Sequence, residues 1–299
     1  MSELKKYFHR FGYIPMTQPD NFTDKFDARF ESAVARYQAR LGLPVTRRLD
    51  VDTISQILSP RCGAPDVVPK QMQAASSSSS SMHYVYFSGR PRWARDSPMT
   101  LTYAFSPEHT VGYLSSPEIR GAFRRSFERW AAVIPVTFSE TEDYGYADIK
   151  IGFYNGDHGD GQPFDGVLGV LAHAFSPESG RFHLDAAERW AVDFESEKSK
   201  VAVDLESVAT HEIGHVLGLW HTPVKGAIMY PSLKPRTRKV ELAVDDIEGV
   251  QALYGSNPNF KLGSSMESDL SSSRAVDLRI RSCQWGVASI LLLILRMCM

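Results

Sequence analysis

The stretch that decides the fold runs from His211 to His221 and reads His-Glu-Ile-Gly-His-Val-Leu-Gly-Leu-Trp-His. His211 and His215 are four residues apart, so an α-helix places both imidazoles on one face, about one turn apart. A continuous helix would carry His221 roughly 15 Å along the axis from His211, because each residue rises about 1.5 Å. We therefore expect the helix to end at Gly218, since glycine accepts the left-handed conformation of a helix C-terminus.

Three converging imidazoles indicate a metal site. Zinc binds histidine nitrogens at about 2.0–2.1 Å, and three protein ligands with one open position are typical of a catalytic zinc. Glu212 is not needed as a ligand, so it is the candidate general base that takes a proton from water and passes it to a leaving amine. A lone His-Glu-x-x-His also occurs by chance in amphipathic core helices. The additional Gly218 and His221 favour the zinc interpretation.

Met229 stands eight residues after His221, within Ala-Ile-Met-Tyr-Pro. The eleven-residue motif followed by this methionine resembles the metzincin metalloproteases. The resemblance implies that Met229 forms the apolar floor beneath the three histidines. A methionine is also a common filler of irregular core gaps, and the two interpretations are compatible.

The segment Pro60–Val67 reads Pro-Arg-Cys-Gly-Ala-Pro-Asp-Val and resembles the cysteine switch of matrix metalloproteinases. A thiolate is a good zinc ligand, so Cys62 can take the fourth position in the zymogen. The resemblance implies that Arg61 and Asp66 pair across the turn. The alternative is that Cys62 is a free buried cysteine in a Pro-rich loop.

A second candidate metal cluster consists of His158, Asp160, His173 and His183. Three imidazoles and one carboxylate form the closed tetrahedral set of a structural zinc. Loop histidines are often only solvent-exposed, but the surrounding sequence, including Leu171–Phe175, resembles the matrix metalloproteinase pattern. The resemblance therefore implies two zinc ions, one catalytic and one structural.

Hard carboxylates between these ligands suit calcium, although such acids can also be solvated surface groups. Arg181 stands where the family often has an Asp for a second calcium, so we expect no second calcium through Asp148. The resemblance implies at least one Ca²⁺ held by carboxylates and main-chain carbonyls of Asp165, Gly166, Leu168, Val170, Asp185 and Glu188.

The substrate cleft is predicted beside these sites. Residues 167–175 should form an edge strand that pairs with the main chain of a peptide substrate. The resemblance implies a specificity pocket at Ser207 and Val208, next to the first zinc ligand. Ser207 is small at a position that often limits the depth of this pocket in the family, so we expect a deep pocket for a large apolar side chain.

The remaining pattern predicts an α+β fold. Leu101, Tyr103 and Phe105 alternate with polar or small residues as in a strand, and Ser116 begins a long helix. Residues 240–254 are predicted to form the closing helix, with Asp245 and Asp246 near its start. The resemblance implies a metzincin-type zinc protease domain, with a twisted mixed sheet and three helices, preceded by a small three-helix prodomain. The predicted segments are a helical prodomain at 1–67, a Ser-rich linker at 68–83, the catalytic domain at 84–255, and a Ser-rich, then hydrophobic tail at 256–299.

Composition limits the other possibilities. The 299 residues are 43% hydrophobic and 23% charged, as in ordinary globular proteins. The net charge of -2 provides no electrostatic case for nucleic-acid binding. Only Cys62, Cys283 and Cys298 occur, which is no disulfide framework.

The two ends bear on localisation. The first ten residues lack an apolar segment, so the sequence predicts no signal peptide, whereas the resemblance implies an extracellular or cell-surface protein of the apoplast. The eleven residues Trp285–Leu295 are too short to span a bilayer. With the small residues Ser271–Ser273 they fit a GPI-anchor signal, while Arg296 favours the alternative of a disordered end. This tail and the lack of room for a hemopexin domain resemble the plant branch of the family.

Together these features predict a zinc-dependent metalloendopeptidase, made as a latent zymogen, that hydrolyses peptide bonds of extracellular proteins. Its predicted partners are protein or peptide substrates, with its own prodomain as inhibitor. The alternative is a non-catalytic, permanently latent wall- or glycan-binding protein, because the N-terminal unit also resembles peptidoglycan-binding modules. The intact Glu212 argues against this alternative.

Overall fold

A computed structural model describes residues 1–15, 22–67 and 83–261. Residues Met1–Asn257 form one compact unit, and a second unit begins at Pro258. Nearly all of the predicted linker, and the predicted anchor signal with Cys283 and Cys298, lie outside the described residues. Among the helices that the structure describes, none has the length and apolar character needed to cross a bilayer.

Three helices form the N-terminal part, as the sequence predicts. Asp27 and Asp50 begin the second and third helices by accepting hydrogen bonds from Phe30 N and Thr53 N, both at 2.9 Å. The aromatic side chains of this unit share one buried cluster with Phe164, Val170 and Tyr230. The N-terminal helices therefore pack directly on the rest of the unit. Their bounds are α1 Ser2–Arg10, α2 Ala28–Arg40 and α3 Val51–Ile57.

A six-stranded mixed sheet forms the centre of the fold. Its strands are β1 Arg61–Cys62, β3 Met99–Phe105, β4 Val136–Glu140, β5 Ile149–Tyr154, β6 Val170–Ala174 and β7 Arg181–Asp185. Their order in the sheet is β1-β6-β7-β5-β3-β4, and β6 and β7 are antiparallel while the other neighbours are parallel. Within the strands of residues 83–261, β6 forms one edge, and only the two residues of β1 pair beyond it.

The edge strand is shorter than the sequence predicts. Residues 167–175 were expected to be extended, but β6 covers only Val170–Ala174. Gly166 and Leu168 have φ angles of 92° and 61°. These left-handed conformations turn the chain and cannot belong to a strand, so pairing starts only after Leu168.

Three further helices follow in residues 83–261, in agreement with the predicted α+β class, and α4 and α5 contact the sheet. In α4 (Ser116–Val133), Ser115 and Glu118 form a capping box. The indole of Trp130 donates to Thr210 O at 2.9 Å in α5 (Leu205–Val216), so α4 holds α5 in place. The last helix, α6, covers Val244–Tyr254 rather than starting at Val240, because residue 243 is still extended at its N-cap.

Two short pairs of strands complete the fold. β2 (Val85–Tyr86) pairs antiparallel with β10 (Leu219–Trp220), and β8 (Trp190–Ala191) pairs parallel with β9 (Val203–Asp204). The strand β9 directly precedes α5 in the chain, and β10 follows it. These pairs therefore fix both ends of the helix that carries the first two histidines.

Candidate active site

The helix α5 ends where the glycine signal predicts. Asp204 accepts a hydrogen bond from Ser207 N at 2.7 Å at its start, and Leu217 is its C-cap. Gly218 follows with φ of 105°, and a Cβ there would lie 2.3 Å from Pro91 O. Only glycine fits this turn. The turn sends the chain through β10 and returns His221 to the histidines of the helix.

The three histidines converge with their Nε2 atoms. Ring centroids of His211, His215 and His221 lie 4.9–5.3 Å apart. Each Nδ1 has another acceptor, so each Nδ1–H donates outward and each Nε2 keeps its lone pair. Burial lowers the pKa of all three imidazoles, which keeps them neutral. The outward acceptors are Ile228 O at 2.6 Å, Leu219 O at 2.8 Å and Asp66 Oδ1 at 2.9 Å.

Such a set of lone pairs fits a divalent cation. Four buried residues each contribute one ligand atom, and these four atoms all lie within 4.8 Å of one another. The residues are Cys62, His211, His215 and His221. Neutral imidazoles with fixed outward protons are the usual zinc ligands. Without a cation, converging lone pairs in a buried site would repel one another.

Cys62 reaches this centre on the strand β1. Its Sγ lies 3.4 Å from His215 Nε2. Cys62 N donates to Pro231 O at 2.9 Å, and Gly63 N donates to Ala172 O at 2.8 Å. The segment thus lies in the cleft between β6 and the chain after Met229, parallel to β6.

The predicted pair of Arg61 and Asp66 is present and buried. Arg61 Nη2 donates to Asp66 Oδ1 at 2.6 Å, and the same carboxylate accepts from His221 Nδ1 and from Tyr13 Oη at 2.8 Å. Although burial opposes it, the Arg61 guanidinium holds the pKa of Asp66 well below its usual range. The cysteine segment is therefore bonded directly to a histidine of the candidate metal centre.

Glu212 is buried beside the thiol. Burial raises the pKa of its carboxyl to about 8. Burial, and secondly the Glu212 carboxylate, raises the pKa of the Cys62 thiol well above its usual range. A carboxyl group whose pKa lies near neutrality suits a group that both accepts and donates a proton.

Met229 lies directly beneath the helix. A Cβ at Gly214, between the two helical histidines, would lie 2.3 Å from Met229 Sδ. Asp246 accepts from Ile228 N at 2.8 Å and from Met229 N at 3.0 Å, and Ile228 O is the acceptor for His211. The sequence pattern places Asp246 only at the start of α6 and gives no signal for this role, because the two hydrogen bonds join residues 17 and 18 positions apart.

The second predicted cluster also comes together. One oxygen of Asp160, Oδ2, lies 2.9 Å from His158 Nε2, 2.7 Å from His173 Nε2 and 2.9 Å from His183 Nδ1. His158 Nδ1 donates to Gly156 O at 2.9 Å, so its Nε2 lone pair faces the carboxylate. Burial lowers the pKa of His173 and His183 to about 4, so both are neutral at pH 7. A cation placed between these groups would satisfy them all, as in a closed zinc site.

The predicted calcium ligands lie around one loop. Burial raises the pKa of Glu188 to about 7 and also raises that of Asp185. Among the described residues, the sets of three or more metal-ligating side chains are the two described above, so these carboxylates do not form a third. Each carboxylate instead accepts a hydrogen bond from the main chain of the loop. Gly166 N donates to Asp185 Oδ2 at 3.1 Å, Leu168 N to Glu188 Oε1 at 2.7 Å, and Val170 N to Asp165 Oδ1 at 2.8 Å.

A pocket opens beside Glu212 and His211. It is lined by Ser207 and Val208, the two residues that the resemblance assigned to the specificity pocket, together with Leu171 of β6. Lys239 also lines the pocket, and it was not predicted from the sequence. Its spacing from the zinc motif offered no signal, because it belongs to an irregular segment before α6.

The geometry defines a class of protein. A helix carries two histidines and a buried carboxyl group, a third histidine follows a glycine turn, and a cysteine from the chain's own N-terminal part lies on the same centre. This is the arrangement of a zinc-dependent endopeptidase held latent by its N-terminal domain.

Comparison with known proteins identifies the family. Residues 92–255 match the matrixin family, and residues 1–57 match the peptidoglycan binding domain family. Metalloendoproteinase 4-MMP of Arabidopsis thaliana is 58% identical over 297 residues, which cover 99% of this chain and 84% of that protein. Metalloendoproteinase 1 of Glycine max is 46% identical over 86% of this chain and 83% of that protein. Matrix metalloproteinase-20 of Homo sapiens is 39% identical over 74% of this chain and 41% of that protein.

The chain therefore belongs to the matrixin family. It is a zinc-dependent metalloendopeptidase made as a zymogen, as the sequence predicts. The alternative of a non-catalytic wall- or glycan-binding protein is not favoured by these relatives, which are named as metalloendoproteinases.

Proposed function

We propose that His211, His215 and His221 hold the catalytic zinc and that Glu212 is the general base and acid. The assignment rests on the hydrogen bonds of the three Nδ1 atoms. All three donate to acceptors outside the centre, which leaves the Nε2 atoms facing one another. Zinc, when bound, supplies a Lewis acid that polarises the substrate carbonyl. Glu212 takes a proton from water at its carboxylate and passes it to the departing amine.

The edge strand β6 positions the substrate. Its outer main-chain groups accept and donate hydrogen bonds, and in the zymogen β1 uses this edge. After removal of the prodomain, an extended peptide takes the place of β1 by the same kind of pairing. The side chain after the scissile bond enters the pocket of Ser207 and Val208, where apolar walls such as Leu171 favour large apolar groups.

The prodomain is the inhibitor of this site. Cys62 Sγ would be the fourth zinc ligand, and β1 blocks the substrate edge at the same time. Arg40 of α2 adds a bond from its guanidinium to His221 O at 2.5 Å. Release of the segment would therefore free both the metal centre and the cleft.

The remaining assignments concern structure and location. His158, Asp160, His173 and His183 would hold a structural zinc, and the loop of Asp165, Gly166, Leu168, Val170, Asp185 and Glu188 would hold calcium. The proposed segments are a helical prodomain at 1–67, a linker at 68–83, the catalytic domain at 84–255 and a tail at 256–299. The family matches at 1–57 and 92–255 lie within the first and the third of these segments. Family membership also supports an extracellular location in the apoplast, where a GPI anchor would tie the chain to the cell surface.

The test uses the full chain and the Cys62→Ser variant. Serine is a weak neutral ligand, so the variant should hydrolyse a quenched peptide before any cleavage, whereas the parent should do so only after limited proteolysis in the linker. If the parent hydrolyses no peptide in either form, the proposed site assignment is wrong. If Cys62→Ser is as inactive as the uncleaved parent, the thiol is not the inhibitory group.

A further inference from the structure

Lys239 is anchored in the wall of the substrate pocket. Its backbone N–H donates to Ser207 Oγ at 2.8 Å. That hydroxyl donates to Asp204 Oδ1 at 2.5 Å, at the N-cap of α5. These bonds tie the backbone of Lys239 to the first turn of the zinc-binding helix. The side chain therefore starts from the same wall as Ser207.

The ammonium group of Lys239 has a carbonyl partner and no carboxylate. Nζ donates to Ala227 O at 2.7 Å and lies 5.6 Å from the centroid of the Tyr230 ring. Among the ion pairs of the described residues, none involves this group. Burial lowers its pKa to about 8, although the nearby Asp246 carboxylate opposes the shift. An ammonium has three N–H donors, so Nζ can bond a further acceptor.

The pocket combines apolar walls with this one positive group. Val208, Leu171 and Ile228 are apolar lining residues. Burial keeps the lining His211 neutral, so among the described lining residues Lys239 is the one with a cationic side chain. Glu212 also lines the pocket and Asp246 lies nearby, but among the described residues neither forms an ion pair with Nζ. A partly buried ammonium without a direct ion-pair partner is unfavourable, and an oxygen acceptor relieves the penalty.

We propose that Lys239 is a specificity-determining residue. Besides the large apolar side chains that its walls favour, the pocket accepts a long side chain ending in a carboxylate or carboxamide oxygen directly after the scissile bond. Glutamate would be preferred over glutamine, because a charged acceptor bonds an ammonium more strongly than a neutral one. Both carry methylene groups that contact the apolar walls. The inference rests on the proposed assignment of this pocket to the substrate.

The experiment compares quenched peptides that differ only at this position. The peptides carry Met, Gln, Glu or Lys, and the enzyme is the full chain, folded and then activated by limited proteolysis. Lys239→Met replaces the ammonium with an apolar group of similar length. The ratio of kcat/KM for the Glu peptide to that for the Met peptide should fall about tenfold or more. Lys239→Arg should keep most of the parent ratio.

The matched control is Lys198→Met. Lys198 is an exposed lysine that pairs with Glu195 at 3.5 Å on the surface, and its removal should leave the ratio unchanged. The inference is overturned if Lys239→Met and the parent have the same Glu-to-Met ratio. Continued hydrolysis of any of the peptides in that case would leave the proposed function intact.

A measurement on the parent alone covers the case in which Lys239→Met fails to fold. A charged acceptor bonds an ammonium more strongly than a neutral one of the same shape. The parent should therefore have a higher kcat/KM for the Glu peptide than for the Gln peptide. A Glu-to-Gln ratio of one or less overturns the inference. No hydrolysis of any peptide overturns the proposed function and this inference with it.

Discussion

Neutralising Asp66 should open the inhibitory segment without touching the thiol. The Asp66 carboxylate is the ion-pair partner of Arg61, and both side chains are buried. It also accepts from His221 Nδ1 at 2.9 Å and Tyr13 Oη at 2.8 Å. Asp66→Asn keeps the shape of the side chain and removes its charge. The change leaves the Arg61 guanidinium buried without a counter-charge.

The magnitude follows from that unpaired charge. Removing one partner of a buried ion pair costs about 3–5 kcal/mol. Once the segment is released, Arg61 is hydrated, so this penalty falls on the closed form. Since about 1.4 kcal/mol corresponds to a factor of ten, the opening equilibrium should rise roughly 100- to 5,000-fold.

The assay is the rate at which a thiol reagent modifies Cys62 in the full chain. Cys283 and Cys298 are first replaced by serine, so that one thiol remains. When closing is faster than modification, the rate measures the population of the open form. The matched control is Asp24→Asn, which removes an exposed carboxylate that pairs with the N-terminal amine.

The outcome that contradicts this reasoning is a modification rate within threefold of the parent. A second variant isolates the unpaired charge. Arg61→Met combined with Asp66→Asn removes both charges and should be slower to react than Asp66→Asn alone. If the double variant reacts at least as fast, the buried charge of Arg61 is not the cause.

Three further predictions concern the catalytic and metal sites. Glu212→Gln should retain zinc but lose activity by about 100- to 10,000-fold, and peptide hydrolysis together with elemental analysis checks both points. The parent should contain two zinc ions; His183→Ala should lose one and lower the thermal unfolding temperature, whereas His221→Ala should mainly lose activity. Burial raises the pKa of Asp246 to about 6, so between about pH 4 and 6 the folded chain holds a proton that the unfolded chain has lost. The free energy of unfolding should therefore fall as pH rises through this window, and urea denaturation should show a smaller fall in Asp246→Asn.

The zinc motif could largely be predicted from the sequence, because its geometry depends on residues close together in the chain. The spacing of His211 and His215 follows from one helical turn, and Gly218 marks the end of the helix with a conformation that other residues rarely adopt. The pairing of Arg61 and Asp66 came from a resemblance over a short segment. The three-helix N-terminal unit followed from helical spacing of its apolar residues.

Irregular segments limited the prediction of element bounds. The edge strand starts at Val170 rather than at residue 167, because Leu168 has a left-handed φ of 61°. A residue other than glycine provides no sequence signal for this conformation. Similarly, α6 starts at Val244 rather than at Val240, since apolar spacing does not show where a helical backbone begins.

Only the tertiary structure decided which distant groups complete the site. The Nδ1 atoms of the three histidines donate to Ile228, Leu219 and Asp66, and two of these partners are distant in the sequence. Lys239 enters the pocket through a bond between its backbone and Ser207, 32 residues away. Spacing along one helix is set by local backbone geometry and can be read from the chain. Contacts between segments depend on how the whole unit packs, so the sequence determined the candidate ligands, and the fold decided their orientation and their neighbours.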